Sequence, residues 1–177
     1  MKNFRNRSAD VRNIPGKVYF SIITISLLWL ILIFLAPLFA SSGSSLEKIS
    51  SYIYLFFSKV CHQNEDRTFH IFGHMLGVCS RCIWIYAGFF IGTAVYPFKK
   101  RLYNTEIPSL IYLFAAVIFL LLDVMLDVFG LFSNTFYSRS VTGFLIGAVL
   151  PFYIIPGFVK FFDEVHTFLR NKLSYKD

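Results

Sequence analysis

Four long apolar runs, set apart by short polar stretches, organise this chain. Positions 18–39 carry no charged residue over 22 positions and are bounded by Lys17. Crossing a hydrocarbon core of about 30 Å takes about 20 helical residues, so the run predicts a membrane-spanning helix. Positions 79–98, "CSRCIWIYAGFFIGTAVYPF", predict a second helix that starts at a cysteine pair and stops near Pro97 and the basic cluster Lys99, Lys100 and Arg101. Positions 107–132 predict a third, with Pro108 in a first turn where its missing N–H would have no partner anyway. Positions 141–159, "VTGFLIGAVLPFYIIPGFV", predict a fourth.

Between the first two runs lies a weaker one, 49–57, flanked by Glu47, Lys48 and Lys59. It is too short to span, and predicts an interfacial helix over about 46–60. There is no internal repeat, low-complexity tract or linker long enough to divide soluble domains. The expected fold is therefore all-α: a single integral membrane domain, 1–177, built as a four-helix bundle with a Cys/His-rich extracytoplasmic loop and one short interfacial helix.

Composition agrees with the pattern. The chain is 56% hydrophobic and 19% aromatic but only 15% charged, far from the balance of a soluble domain. The 22 Phe and 10 Tyr are expected to supply lipid-facing and interfacial surface. Basic residues before the first run and Ala40, Ser41 and Ser42 after it also suit a secretory signal, but its apolar part exceeds the roughly 7–15 residues of a signal core, so it reads as a retained anchor.

Lys and Arg collect on the cytoplasmic side of spans. Twelve of the 17 fall in the N-terminal tail (Lys2, Arg5, Arg7, Arg12, Lys17), the 99–101 loop and the C-terminal tail (Lys160, Arg170, Lys172, Lys176). Only Lys48, Lys59, Arg67, Arg81 and Arg139 fall in the other connections. Both termini are thus expected in the cytoplasm, the chain in the inner (cytoplasmic) membrane of a prokaryotic cell, and the cysteine loop outside. The net charge of +7 is accounted for by attraction to the anionic leaflet; no nucleic-acid motif is present.

Chemistry concentrates in "CHQNEDRTFHIFGHMLGVCSRC", positions 61–82, which holds all three cysteines and three of the four histidines. Cys79 and Cys82 share the first turn of the second predicted helix, where the helix N-terminus and Arg81 favour thiolate. Cys61 completes three thiolates if the loop folds back, and His62, His70 or His74 can add an imidazole, a donor set suited to Zn. His70 and His74 are four apart and would share a face of any helix formed there. An extracytoplasmic position equally permits a disulfide, Cys79 with Cys82 or Cys61 with either, leaving one thiol over. Plain packing of three thiols is the blander alternative.

Two carboxylates fall inside the third span. Asp123 and Asp127 are four apart, roughly 13.5 and 7.5 Å along the helix from Phe132. Each costs about 2.5–3.5 kcal/mol near a bilayer centre, so both should face the bundle interior or a wet cavity. Arg139 opens the fourth run, and an Asp123–Arg139 pair would lower both penalties. Tyr86, four residues after Cys82, is placed to set its hydroxyl near the thiols. Gly88 with Gly92, and Gly143 with Gly147, are small-residue pairs that permit close helix approach.

The sequence Cys61-His62-Gln63, with Arg67, Phe69, Gly73, Cys79, Arg81, Cys82, Tyr86 and Gly88, resembles the signature of a family of small prokaryotic multi-pass membrane proteins of unknown function. The likeness continues through Asp123, Gly130, Asn134, Arg139, Thr142, Gly143 and Gly147, and the family pattern has glycine where this chain has Trp84. The resemblance implies one shared site but no activity. A second, looser likeness is to the quinone-linked thiol oxidases that recycle periplasmic disulfide catalysts, which also place C-x-x-C ahead of Ile-Tyr at the second of four spans. Those enzymes carry a further cysteine pair in the second external loop; here 132–140 holds none, though Cys61 in the first loop could play a resolving part.

Two functional expectations follow. In the first, Cys61, His62, Cys79 and Cys82 bind Zn or Fe, with Arg67, Arg81, Tyr86, Asp123, Asp127 and Arg139 lining the surrounding site. In the second, Cys79 and Cys82 cycle between dithiol and disulfide with a quinone as acceptor. A structural clip is the third and plainest option. Mixed sulfur and nitrogen donors favour the metal. Expected partners are the lipid bilayer and either a second copy or another membrane subunit. The motifs name no reaction.

Overall fold

The computed structural model describes residues 2–43, 45–102 and 105–174, with backbone alone at 2–14, 45, 170, 171, 173 and 174. Lys176 lies outside the described residues, as do the side chains of Lys2, Arg5, Arg7, Arg12 and Arg170. The fold is all-α and of membrane type, with one tiny hairpin. Its helices are α1 (Lys2–Ser41), α2 (Ser45–Phe57), α3 (Ser80–Lys99), α4 (Leu110–Val128), α5 (Phe136–Val149) and α6 (Pro151–Ser174). Four stretches are long and apolar enough to cross a membrane: Pro15–Ser41, Ser80–Lys99, Leu110–Val128 and Phe136–Leu169.

The fourth apolar stretch differs from the single helix expected over 141–159. Helix begins five residues earlier, where the Thr135 hydroxyl accepts from the Ser138 amide, and it breaks at Leu150. Pro151 has no N–H to donate back one turn, so α5 ends there and α6 starts.

The bundle is held most closely between α3 and α5, backbone against backbone. A Cβ on Gly88 would stand 2.5 Å from the Phe144 carbonyl oxygen, one on Gly92 2.5 Å from that of Ala148, and one on Gly143 2.5 Å from that of Arg81; one on Gly147 would run into the Ile85 carbonyl. The two small-residue pairs therefore interlock, as such pairs do in membranes, where contact rather than water drives packing. α4 fully buries none of its residues and lies on the flank against α5.

Two apolar clusters sit at opposite ends. One joins Val18 and Tyr19 of α1 to Tyr96 of α3 and Ile155 and Val159 of α6. The other gathers Ile33 and Ala36 of α1, Ile53 and Phe57 of α2, and Cys61, Leu76, Val78 and Ile83. Pro37, fully buried, interrupts the α1 hydrogen-bond ladder, and beside it the Ala36 carbonyl accepts from the buried Ser50 hydroxyl of α2 at 2.7 Å. Thus α2 is pinned to α1 just ahead of the segment that carries Cys61.

Candidate metal centre and its ionic layer

Each cysteine is positioned by a helix end. Cys61 follows α2 and its amide still donates to the Phe57 carbonyl at 2.9 Å, which fixes its direction; the residue is 5% exposed. Cys79 caps α3 in extended backbone, and its own amide donates to Cys61 Sγ at 3.2 Å. Cys82 lies in the first turn of α3. The three Sγ atoms all lie within 4.8 Å of one another, and all three thiols are free.

The chemistry of this donor set fits a soft or borderline cation. Three thiolates at about 2.3 Å from one tetrahedral ion would stand about 3.8 Å apart, so the cluster needs little closure to reach ligation distance. Cys79, which precedes the span, is held below the usual thiol range by hydrogen bonds with Cys61 and then Cys82, with burial opposing and the Arg81 and Cys82 amides assisting. An N–H donated to sulfur and a helix N-terminus both favour the charged form a metal requires.

The histidines do not join. Among the described residues the converging group contains the three cysteines and no imidazole, and His62, His70 and His74 are all exposed. His70 and His74 do not share a helical face either. They lie on β1 (His70–Ile71) and β2 (His74–Met75), paired antiparallel with His74 opposite Ile71. Phe72 and Gly73 both adopt positive φ, 53° and 79°, the two-residue turn that closes hairpins and excludes helix. His70 Nε2 instead faces Glu65 Oε1 at 3.8 Å.

Beside the sulfurs lies a layer of paired charges whose pairing differs from the expected Asp123–Arg139 bond. Asp123 accepts from Arg81 at 2.6 Å and from the Thr142 hydroxyl at 3.3 Å. Asp127 takes Arg139 at 3.4 Å, Arg67 at 3.7 Å, and the Asn134 amide at 3.0 Å. The reason is level: Gly143 packs on the Arg81 carbonyl, which sets Arg81 and Thr142 together at the depth of Asp123. Arg139, one turn nearer the helix end than Gly143, meets Asp127. Both intramembrane carboxylates thereby face inward, as their burial cost demands.

Tyr86 packs against the same apolar cluster as Cys79 and Cys82, with its ring edge-on to Trp29 at 5.6 Å. Trp84 turns away from the sulfurs, sits edge-on to Phe144 at 6.1 Å and is 38% exposed. Three supporting residues received no individual role from sequence reasoning, although Gln63 and Thr142 fall within the family pattern. Gln63, at a positive φ of 48°, donates its side-chain amide to the Tyr54 carbonyl at 2.9 Å and the Gly77 carbonyl at 2.8 Å. Tyr54 donates to the Met75 carbonyl at 2.5 Å, and Thr142 to Asp123. The signal for Gln63 and Thr142 was their place in the family pattern; for Tyr54 no local pattern points to the role.

The family model described as predicted membrane protein (DUF2085) matches residues 61–153, a segment that begins at Cys61 and encloses every sulfur and charged group above. An uncharacterized protein of Methanocaldococcus jannaschii is 40% identical over 146 residues, covering 80% of this chain and 94% of that protein. An uncharacterized protein of Methanothermobacter thermautotrophicus is 50% identical over 34 residues, 19% of this chain and 31% of that one. No solved structure matches.

Proposed function

Since the chain belongs to the family described as predicted membrane protein (DUF2085), and the matched segment contains the whole site, we propose that it is an integral membrane protein binding a transition metal, Zn or Fe, through Cys61, Cys79 and Cys82. The observation that supports this is the meeting of three free sulfurs from two helix ends within 4.8 Å. Three protein donors leave one coordination position for an outside ligand, the arrangement of catalytic rather than structural zinc sites. A bound ion there would supply Lewis acidity or hold that ligand. The Lys and Arg distribution supports an orientation with this end outside the cytoplasmic membrane of a prokaryotic cell and both termini within. Elemental analysis of the purified protein tests the reading: one equivalent of metal, lost in Cys79→Ser/Cys82→Ser, is expected, and metal-free native protein overturns it.

A second reading rests on a different observation. An apolar cleft of about 440 Å³ is lined by Trp29, Tyr86, Phe89, Ile154 and neighbours, one turn along α3 from Cys82. It suits a quinone ring: two thiols would become one disulfide, passing two electrons and two protons to the quinone to give a quinol. Maleimide trapping before and after addition of a quinone decides it, since loss of two labelled thiols per chain is expected only here.

A further inference from the structure

The charged layer holds more hydrogen-bond donors than its carboxylates satisfy. Three guanidinium groups, those of Arg67, Arg81 and Arg139, face two carboxylates, Asp123 and Asp127. Arg139 is only 7% exposed, yet its Nε is buried without a partner, and so are the donors Nε of Arg81 and Nδ2 of Asn134, together with the acceptor Oδ1 of Asn134. Buried polar groups left so are costly and uncommon in native proteins. A metal held on three thiolates would carry a single negative charge that could offset the extra arginine at a distance. It would not satisfy these N–H groups, because hydrogen bonds act only at contact.

We propose that Arg67, Arg81, Arg139 and Asn134 form a binding site for a phosphate-type oxyanion at the cysteine end of the bundle. The chemistry selects the ligand. Guanidinium groups offer planar forks that match oxyanions, and these donors come from three separate elements: the 61–79 loop, α3, and α5 with the segment before it. Donors arriving from several directions suit a tetrahedral anion with several oxygens better than a flat carboxylate. Arg67, its side chain 51% exposed, forms the open rim through which a ligand enters, and Arg139 forms the floor. The anion is either free phosphate or the phosphodiester of a phospholipid headgroup, since Arg67 and Asn134 lie outside the four candidate spans and Arg81 and Arg139 lie in the first turns of theirs. The site does not depend on whether the sulfurs hold a metal.

The test uses the full chain purified in detergent, titrated calorimetrically with inorganic phosphate. In parallel, the chain is placed in nanodiscs of phosphatidylcholine with and without phosphatidylglycerol, and retained lipid is read by native mass spectrometry. Saturable phosphate binding identifies a soluble source, and selective retention of phosphatidylglycerol a lipid source. In either case Arg67→Gln and Asn134→Ala should weaken binding about tenfold or more, and Arg67→Gln should leave circular dichroism and Tm unchanged. The variant with all three cysteines changed to Ser should still bind. No saturable binding of either probe, binding unaltered in both Arg67→Gln and Asn134→Ala, or loss in the cysteine-free variant while it remains folded, overturns the proposal.

Discussion

Arg81 donates to Asp123 across 2.6 Å while its neighbour Cys82 belongs to the sulfur cluster. The first turn of α3 thus ties the thiols to the charged layer. The pair is mostly shielded, with side chains 22% and 12% exposed. Removing one partner of such a pair strands the other, at a cost of about 3–5 kcal/mol when burial is complete; partial exposure of Arg81 places the expectation near the lower end. Asp123→Ala should lower the thermal midpoint in detergent by several degrees, and Arg81→Met with Asp123→Leu should recover most of the loss. An Asp123→Ala protein as stable as the native one would show that the pair holds nothing.

The close approach of α3 and α5 sets the level at which Arg81 meets Asp123. Gly147→Ala drives a methyl into the Ile85 carbonyl, and the helices must part, at about 1–3 kcal/mol. Gly157, within α6, has nothing within 4 Å of an added Cβ, so Gly157→Ala should be neutral or stabilising by up to ~1 kcal/mol from helix propensity. Thermal midpoints of the two variants in one detergent check the contrast, and equal shifts would refute it.

The four apolar stretches, though not the break at Leu150, were legible because length and apolarity are properties of a run and need no partner; so was the short helix α2, whose apolar run is bounded by Glu47, Lys48 and Lys59. The inward turn of Asp123 and Asp127 was legible from cost alone. Which arginine meets which aspartate was not, because the choice depends on the depth at which Gly143 rests on α3, a tertiary fact. The hairpin was hidden for a local reason: the i, i+4 spacing of His70 and His74 suits a helix, yet Phe72-Gly73 turns the chain between them. The meeting of the sulfurs depends on Gln63 and Tyr54 fastening the loop to backbone carbonyls, contacts with no signature in spacing.

Because no imidazole among the described residues reaches the sulfurs, the histidines should be dispensable for metal. The chain with His62→Ala, His70→Ala and His74→Ala together should keep the native metal content by elemental analysis. A drop to half or less would mean that one of them swings in as a fourth ligand.

Tyr54 holds the hairpin to α2 through the Met75 carbonyl. Tyr54→Phe should cost about 1 kcal/mol, the worth of one such bond. Burial raises the Tyr54 hydroxyl above its ordinary value of 10.0. A raised folded pKa means the stabilisation is fully present below the unfolded value and is lost as pH rises through the folded one. The native and Tyr54→Phe proteins should therefore differ in thermal midpoint at neutral pH and converge only in alkali above that value. A difference that vanishes in acid would contradict the assignment.

Cys61 separates the two chemistries proposed for the thiols. In the metal reading it is one of three equivalent donors, and its sulfur also accepts the Cys79 amide at 3.2 Å. Cys61→Ser replaces a soft donor with a hard one and weakens the bond that orients Cys79. Cobalt reports this directly, because thiolate-to-cobalt absorption grows with the number of sulfurs bound. The native protein should show the band of a three-sulfur site, and Cys61→Ser should show a weaker band with affinity reduced by about tenfold or more, the scale seen when even supporting residues of metal sites are removed. In the redox reading Cys79 and Cys82 alone form the disulfide, so Cys61→Ser should leave quinone-dependent loss of maleimide labelling intact. A variant that keeps full cobalt absorption would exclude Cys61 from the metal site, and one that loses quinone-dependent oxidation would make Cys61 a reacting thiol.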